Sequence, residues 1–230
     1  LGPSYKEVAA KYKSDKSAEA KLVENVGVKI KLAAEKYLNY LGQNQYLKDY
    51  AWEYKLVENE QVNAWCMPGG KIVVYSGILP VTLNEAGLAT VMGHEVSHAL
   101  ANHGAQRMSA AKLQQLGAVG VTLATAKQGE AKQNQWLEYY GIGSQVGGML
   151  PFSRSHESEA DKIGLALMAI AGYDVEESVL FWGRMAAKSS GKSQPEFMST
   201  HPSDATRIAN LKVLIPEAKA IALKVGIISK

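Results

Sequence analysis

Between Ser14 and Leu41 the apolar residues Leu22, Val26, Ile30, Ala33, Tyr37 and Leu41 recur in steps of three and four among charged ones. That period places them on one face of a helix packed across the domain, with no chemistry of its own. From Ala51 the pattern changes. Tyr54-Lys55-Leu56-Val57 and Lys71-Ile72-Val73-Val74-Tyr75 have strand composition, and Asn63-Ala64-Trp65-Cys66-Met67 lies between them. Pro68-Gly69-Gly70 is turn chemistry joining the last two runs, and Asn59 and Glu60 suit the earlier turn. The segment therefore predicts a small, mostly antiparallel sheet.

Helical patterning resumes at Thr82-Leu83-Asn84-Glu85, which fits a capping box with Thr82 as N-cap. The helix is predicted to run to about Asn102, with Gly104 as its stop. Ala105 to Lys127 carries a further helical pattern. Gly141 to Gly148 (GIGSQVGG) lacks the Gly-Lys-Ser/Thr ending of a phosphate-binding loop and reads as a helix break, a close-packing segment or a flap. Two more helices are predicted, over about Ser153–Ala171 with Gly172 as its end and from Asp174 to about Lys188. Ser189–Pro202 reads as a loop. A last helical region starts at Ser203 or Asp204 and is broken or bent at Pro216. The pattern predicts a predominantly helical α+β fold in a single domain over residues 1–230, residues 1–49 forming a helical segment packed on the rest.

Composition alters this picture little. Of 230 residues, 47% are apolar and 20% charged, as in a globular chain long enough to bury a full core. The formal net charge of +3, with basic residues scattered, argues against nucleic acid. No window reaches the ~18 apolar residues of a membrane span; Leu116 to Ala126 comes nearest, and glycine interrupts it. Cys66, the single cysteine, excludes an intramolecular disulfide and a cysteine-based metal site. The chain opens Leu1-Gly2-Pro3-Ser4 without an initiator methionine, which fits a trimmed chain, a removed signal peptide included.

The chemistry sits inside two of the predicted helices. His94-Glu95-Val96-Ser97-His98 reads as H-E-x-x-H. Four residues is about one helical turn, so both imidazoles can reach one cation. Glu95 is rotated about 100° from His94 and approaches the open side of the metal, where a catalytic zinc keeps a water. There it can act as general base and later return the proton to the leaving amine. Alone, the motif also fits a surface helix with two histidines. A metzincin would have glycine and histidine three and six positions past His98; Ala101 and Gly104 stand there instead. His103, at about 180° from His94 on a continuing helix, is predicted to face away as a solvated helix-end residue. Glu157-Ser158-Glu159-Ala160-Asp161 then supplies two carboxylates on one helix face. One can bind metal while the other accepts the free N–H of a ligand histidine, His94 by analogy with other zincins. Glu159, about 200° from Glu157, is predicted to be structural or exposed. Without the histidine motif, this pair reads as two acids on a solvated face.

With both motifs in hand the chain resembles the zinc metallopeptidases of the CAAX prenyl endopeptidase, HtpX and BepA superfamily, and within it the soluble, periplasmic BepA-like branch. Asn63–Leu79, Val91–His103, Phe152–Gly164 and Ser199–Ile208 carry the likeness in family order. The resemblance implies one zinc ion held by His94, His98 and Glu157, with Glu95 the catalytic base and Asp161 a supporting carboxylate. It gives His201 an oxyanion-stabilising or zinc-capping role, and Arg207 a substrate-contacting or site-orienting one. By sequence alone, His201 is an ordinary loop histidine and Arg207 a helix-surface arginine. The Gly69-Gly70 hairpin resembles the family strand bordering the cleft, whose edge would support an extended peptide by backbone pairing; a plain hairpin fits the residues equally well. Neither the membrane spans of the HtpX branch nor a downstream helical-repeat domain is visible. The implied function is endopeptidase cleavage of extended or misfolded proteins, in an exported, periplasmic or membrane-associated setting, with protein or peptide substrates and membrane-associated partners. A quality-control binding protein with a self-capped, latent zinc site is the competing reading. A purely structural zinc site would leave Glu95 unexplained.

Overall fold

The structure is a computed structural model that describes residues 17–67, 69–127, 129–139, 152–189, 195–201 and 205–228. The glycine-dense 141–148 segment, Pro68 and the expected helix start at Ser203 or Asp204 lie outside the described residues. The first apolar stripe forms α1 (Ala18–Tyr40), which buries Val26, Ile30 and Ala33 together with Val23, Ala34 and Leu38. Ser17 caps it by accepting from the Ala20 amide at 3.1 Å.

Three strands follow: β1 (Glu53–Val57), β2 (Ala64–Met67) and β3 (Lys71–Tyr75), in the order β1-β3-β2. β1 runs parallel to β3 with Glu53 opposite Lys71, and β2 antiparallel with Ala64 opposite Val74. The sheet is thus mixed rather than mostly antiparallel. The turn at Asn59 does not close a hairpin. Asn59 is tied to the end of β3 through its amide to Ser76 Oγ (3.0 Å) and its carbonyl from the Gly77 amide (2.8 Å), so the chain crosses beyond β3 before returning as β2. Period-2 patterning specifies which face a strand buries, not which neighbour it takes.

After a 3-10 turn at Ser76–Ile78 come α2 (Leu79–Thr82) and α3 (Glu85–Leu100). The N-cap of α3 is Asn84, whose Oδ1 accepts from the Gly87 amide at 2.8 Å, not Thr82. Pro80 starts a helical turn that already includes Thr82, leaving Asn84 as the extended residue that can cap. α3 also ends early. Asn102 adopts a left-handed conformation (φ 56°), and α4 (His103–Thr125) starts there with Gly104 inside it. The remaining helices are α5 (Glu130–Tyr139), α6 (Arg154–Ile170), α7 (Glu177–Ser189), the short α8 (Glu196–Thr200) within the expected loop, and α9 (Ala205–Ile228). α8 forms because Phe197 and Met198 are buried and the Phe197 amide donates to Val62 O at 3.0 Å. α9 continues through Pro216, with Leu211, Ile215, Ala218 and Val225 buried on either side of the proline.

The fold is α+β and predominantly helical, with α3 at its centre between α1, β2, α6 and α7. α3 and α6 meet almost backbone to backbone. A Cβ on Gly164 would lie 3.1 Å from the His94 amide nitrogen, and one on Gly93 would lie 3.2 Å from the Gly164 carbonyl. A side chain at either position would push the backbones apart by a few tenths of an ångström, so the two glycines favour this close approach of the motif-bearing helices. α4 instead leaves the body to pack on α5, exposing Met108, Leu113, Leu116, Val119 and Leu123. No helix among the described residues is long and apolar enough to cross a membrane.

Candidate active site

α3 projects His94 and His98 from one face, and their Nε2 atoms lie 3.0 Å apart. α6, capped by Ser153, brings Glu157 opposite them: Oε1 is 3.2 Å from His98 Nε2 and Oε2 is 3.3 Å from His94 Nε2. His201 follows α8 and places Nδ1 3.1 Å from Glu157 Oε1 and 3.3 Å from His94 Nε2. The four residues are buried, and one donor atom from each lies within 4.8 Å of the others. Four donors about 3.4 Å apart would surround a tetrahedral ion with bonds of ~2.1 Å, so their convergence fits a metal. Ring stacking fixes two of these imidazoles, His98 on Phe152 at 3.9 Å between centroids and His201 on Phe197 at 4.5 Å.

Glu95 is buried beside the cluster. Its Oε1 lies 3.3 Å from His201 Nε2 but makes no hydrogen bond. Burial pushes its carboxyl above the ordinary range, while His201 and His94 oppose the shift and the neighbouring Cys66 backbone amide favours the charge. Cys66 belongs to the edge strand β2, which therefore runs alongside Glu95. The same burial, with the Glu95 charge, raises the Cys66 thiol.

Asp161 and Arg207 form the layer behind. His94 Nδ1 is 3.0 Å from Asp161 Oδ1. Arg207 donates through Nε and Nη2 to Asp161 Oδ2 (2.8 Å) and Oδ1 (2.6 Å), and through Nη1 to Glu157 Oε2 (2.8 Å). Its guanidinium lies 3.4 Å over the Trp182 ring. Such a bidentate fork, backed by an aromatic face, suits arginine and not lysine. Arg207 is 6% exposed, so it orients carboxylates from within rather than lying on a helix surface. Burial opposes the charge of Asp161, yet Arg207 and His94 hold its carboxyl below the usual range. Glu157 is likewise held down, against burial, by the three histidines. Burial lowers His98 to about 2. His94 is also penalised by burial, but Glu157 and Asp161 lift it to about 9. In the metal-free site the Glu157 and Asp161 carboxylates thus face the Arg207 guanidinium and a proton on His94, and a metal ion would take the place of that proton.

The expectation for His103 needs correction. His103 does not face solvent. It is fully buried, with Nδ1 3.0 Å from His98 Nδ1 and Nε2 3.1 Å from Glu159 Oε2. Extrapolating the helix past Asn102 failed because the left-handed residue resets the rotation; the Asn before His-Gly was the available signal. Gly69 and Gly70 serve the β2–β3 turn with φ of 89° and 84°. Their carbonyls accept from Ala51 and Glu53, and the Gly70 amide donates to Met67. The part of this hairpin beside the cluster is Cys66. Trp182 and Phe197 carry no sign of the site in the sequence, because an aromatic in a helix reads as core, and Phe152 lies just ahead of α6.

Two imidazoles one turn apart, a carboxylate from a second helix and an intervening glutamate turned beside them define a zincin-type metallohydrolase centre. The chain belongs to peptidase family M48, whose profile matches residues 33–215. It is 36% identical over 206 residues to the mitochondrial metalloendopeptidase OMA1 of Saccharomyces cerevisiae, covering 86% of this chain and 56% of that protein. To human metalloendopeptidase OMA1, mitochondrial, it is 34% identical over 181 residues, covering 74% of this chain and 33% of the relative. The β-barrel assembly-enhancing protease of Escherichia coli is 30% identical over 190 residues, covering 76% and 38%. The likeness thus reaches beyond the BepA-like branch to OMA1 proteins. The chain spans about half the length, or less, of these relatives. Zinc is the metal of this family, and His94, His98, Glu157 and His201 are the cluster suited to it.

Proposed function

We propose that this chain is a zinc-dependent endopeptidase that cleaves extended or unfolded protein segments. The observation that carries it is the buried convergence of His94, His98 and Glu157 with Glu95 beside them. His94, His98 and Glu157 hold the metal, and Asp161 and Arg207 keep Glu157 and His94 in place. Bound zinc supplies Lewis acidity, lowering the pKa of a water towards ~7 and polarising a carbonyl. Glu95 takes a proton from the attacking water and delivers it to the leaving amine. His201 donates through a ring nitrogen to the oxygen on which charge develops. The edge strand β2, running past Glu95, pairs with the backbone of an extended substrate, which makes cleavage tolerant of side chains. An exported or membrane-associated setting belongs to the same proposal and rests on the family likeness.

A second reading has its own observation. His201 Nδ1 lies among the ligand atoms, where it would complete a four-donor set and leave the site latent, as in a client-binding protein. Proteolysis of unfolded fluorescent casein by zinc-loaded protein, with metal quantified, separates the readings. Wild type cuts, Glu95→Gln keeps zinc and loses turnover, and Glu157→Ala loses the metal. Cutting by a clean Glu95→Gln preparation would refute the base assignment. A metallated but silent wild type that His201→Ala switches on would establish self-capping.

A further inference from the structure

A line of contacts runs outward from His98 on the side away from the other ligands, buried at His103 and reaching solvent at Glu159. His98 Nδ1 is 3.0 Å from His103 Nδ1, and His103 Nε2 is 3.1 Å from the Glu159 carboxylate. Hydrogen-bond logic fixes the protons along this line. An ionised carboxylate only accepts, so neutral His103 carries its proton on Nε2 and presents Nδ1 as a lone pair. His98 must then donate through Nδ1, which leaves its Nε2 lone pair facing His94 and Glu157. The opposite assignment would turn a His103 lone pair onto a carboxylate. It would also put the His98 proton on Nε2, where a metal has to bind.

We propose that Glu159 and His103 form a relay that fixes the metal-binding tautomer of His98, with His103 as a positioning residue and Glu159 setting the tautomer of His103. The proposal rests on the metal-centre reading above and adds two residues to it. Ring packing keeps the relay in register: His103 stacks on His156 at 4.4 Å and 21°, and His156 Nε2 lies 3.0 Å from Gln106 Oε1. His103 is 0% exposed, so no water competes for its Nδ1. The Glu159 side chain is 58% exposed, so its influence is partly screened and His103 carries the larger effect.

The test is zinc affinity of the metal-free full chain, read by competition with a chromogenic chelator, together with the visible absorption of the cobalt-loaded protein. Removing an outer partner of a ligand histidine costs about 10–100-fold in metal affinity, and His103→Leu is expected in that range with an altered cobalt spectrum. His103→Asn, whose amide oxygen can replace Nδ1 as acceptor, should stay within about threefold of wild type. Glu159→Lys changes only an exposed side chain, so folding is not at stake. A donor there selects the wrong His103 tautomer, and affinity should fall about 5–10-fold. Equal weakness of His103→Leu and His103→Asn, or wild-type affinity and spectrum in Glu159→Lys, would overturn the relay. Because zinc uptake is read without substrate, failure of the peptidase reading gives a different result. Wild type that takes up no zinc overturns the metal centre and the relay together; zinc-binding wild type with unaffected variants overturns the relay alone.

Discussion

His94 and His98 stand one turn apart on the same helix, yet different physics holds them. His94 is backed directly by a carboxylate, Asp161, which Arg207 clamps from behind. His98 is backed by another imidazole, with its carboxylate one step further out and half in water. One side is thus a buried ion network, costly to assemble and costlier to break. The other is a neutral hydrogen-bonded line whose outer end solvent screens. Equivalent sequence positions in H-E-x-x-H therefore need not be equivalent in sensitivity, in pH response or in tolerance of mutation.

The sharpest way to break the contrast is Arg207→Leu. It leaves Asp161 and part of Glu157 buried without their cation, and removing one partner of such a pair costs about 3–5 kcal/mol. Denaturant unfolding of the metal-free protein should show this loss, and zinc should restore part of it. A loss under about 1 kcal/mol would place the network in the class of exposed pairs. Asp161→Asn is milder, because the amide oxygen can still accept from His94 Nδ1. Zinc affinity should drop about 10–100-fold, against wild-type affinity if Asp161 does not orient His94.

The contrast has a pH signature of smaller size. In the metal-free protein, burial disfavours the charge on His94, but Glu157 and Asp161 outweigh it and raise its pKa to about 9, whereas burial keeps His98 neutral with a pKa of about 2. Only His94 has to lose a proton before binding metal. Below the folded pKa of His94, apparent zinc affinity should fall about tenfold per pH unit and level off above it. Calorimetric titration near pH 7.5 in buffers of different ionisation heat should find about one proton released per zinc. No release would show His94 already neutral.

Much of the fold was legible from local rules. The stripe of α1, the Ser153 cap of α6 and the left-handed Gly172 at φ 83° that ends it follow from period and capping chemistry. Reading failed where a local rule met a contact distant in the chain. Thr82 fits a capping box, but Pro80 starts a helical turn that takes it in. A continuing helix would turn His103 away from His94, but the left-handed Asn102 breaks the rotation and turns it inward. Arg207 looked like a surface arginine because nothing in its neighbourhood announces Asp161, 46 positions away.

The sequence by itself determined the donor types and their spacing on each helix, since 3.6 residues per turn sets which side chains share a face. That is why His94, His98, Glu95 and the Glu157–Asp161 pair could be named in advance. The tertiary structure decided how the helices meet. Gly93 and Gly164 let α3 and α6 approach to backbone contact, α8 delivers His201, and the restart at Asn102 turns His103 inward. Those placements depend on packing between segments far apart in the chain, and periodicity carries no information about which surfaces will bury one another.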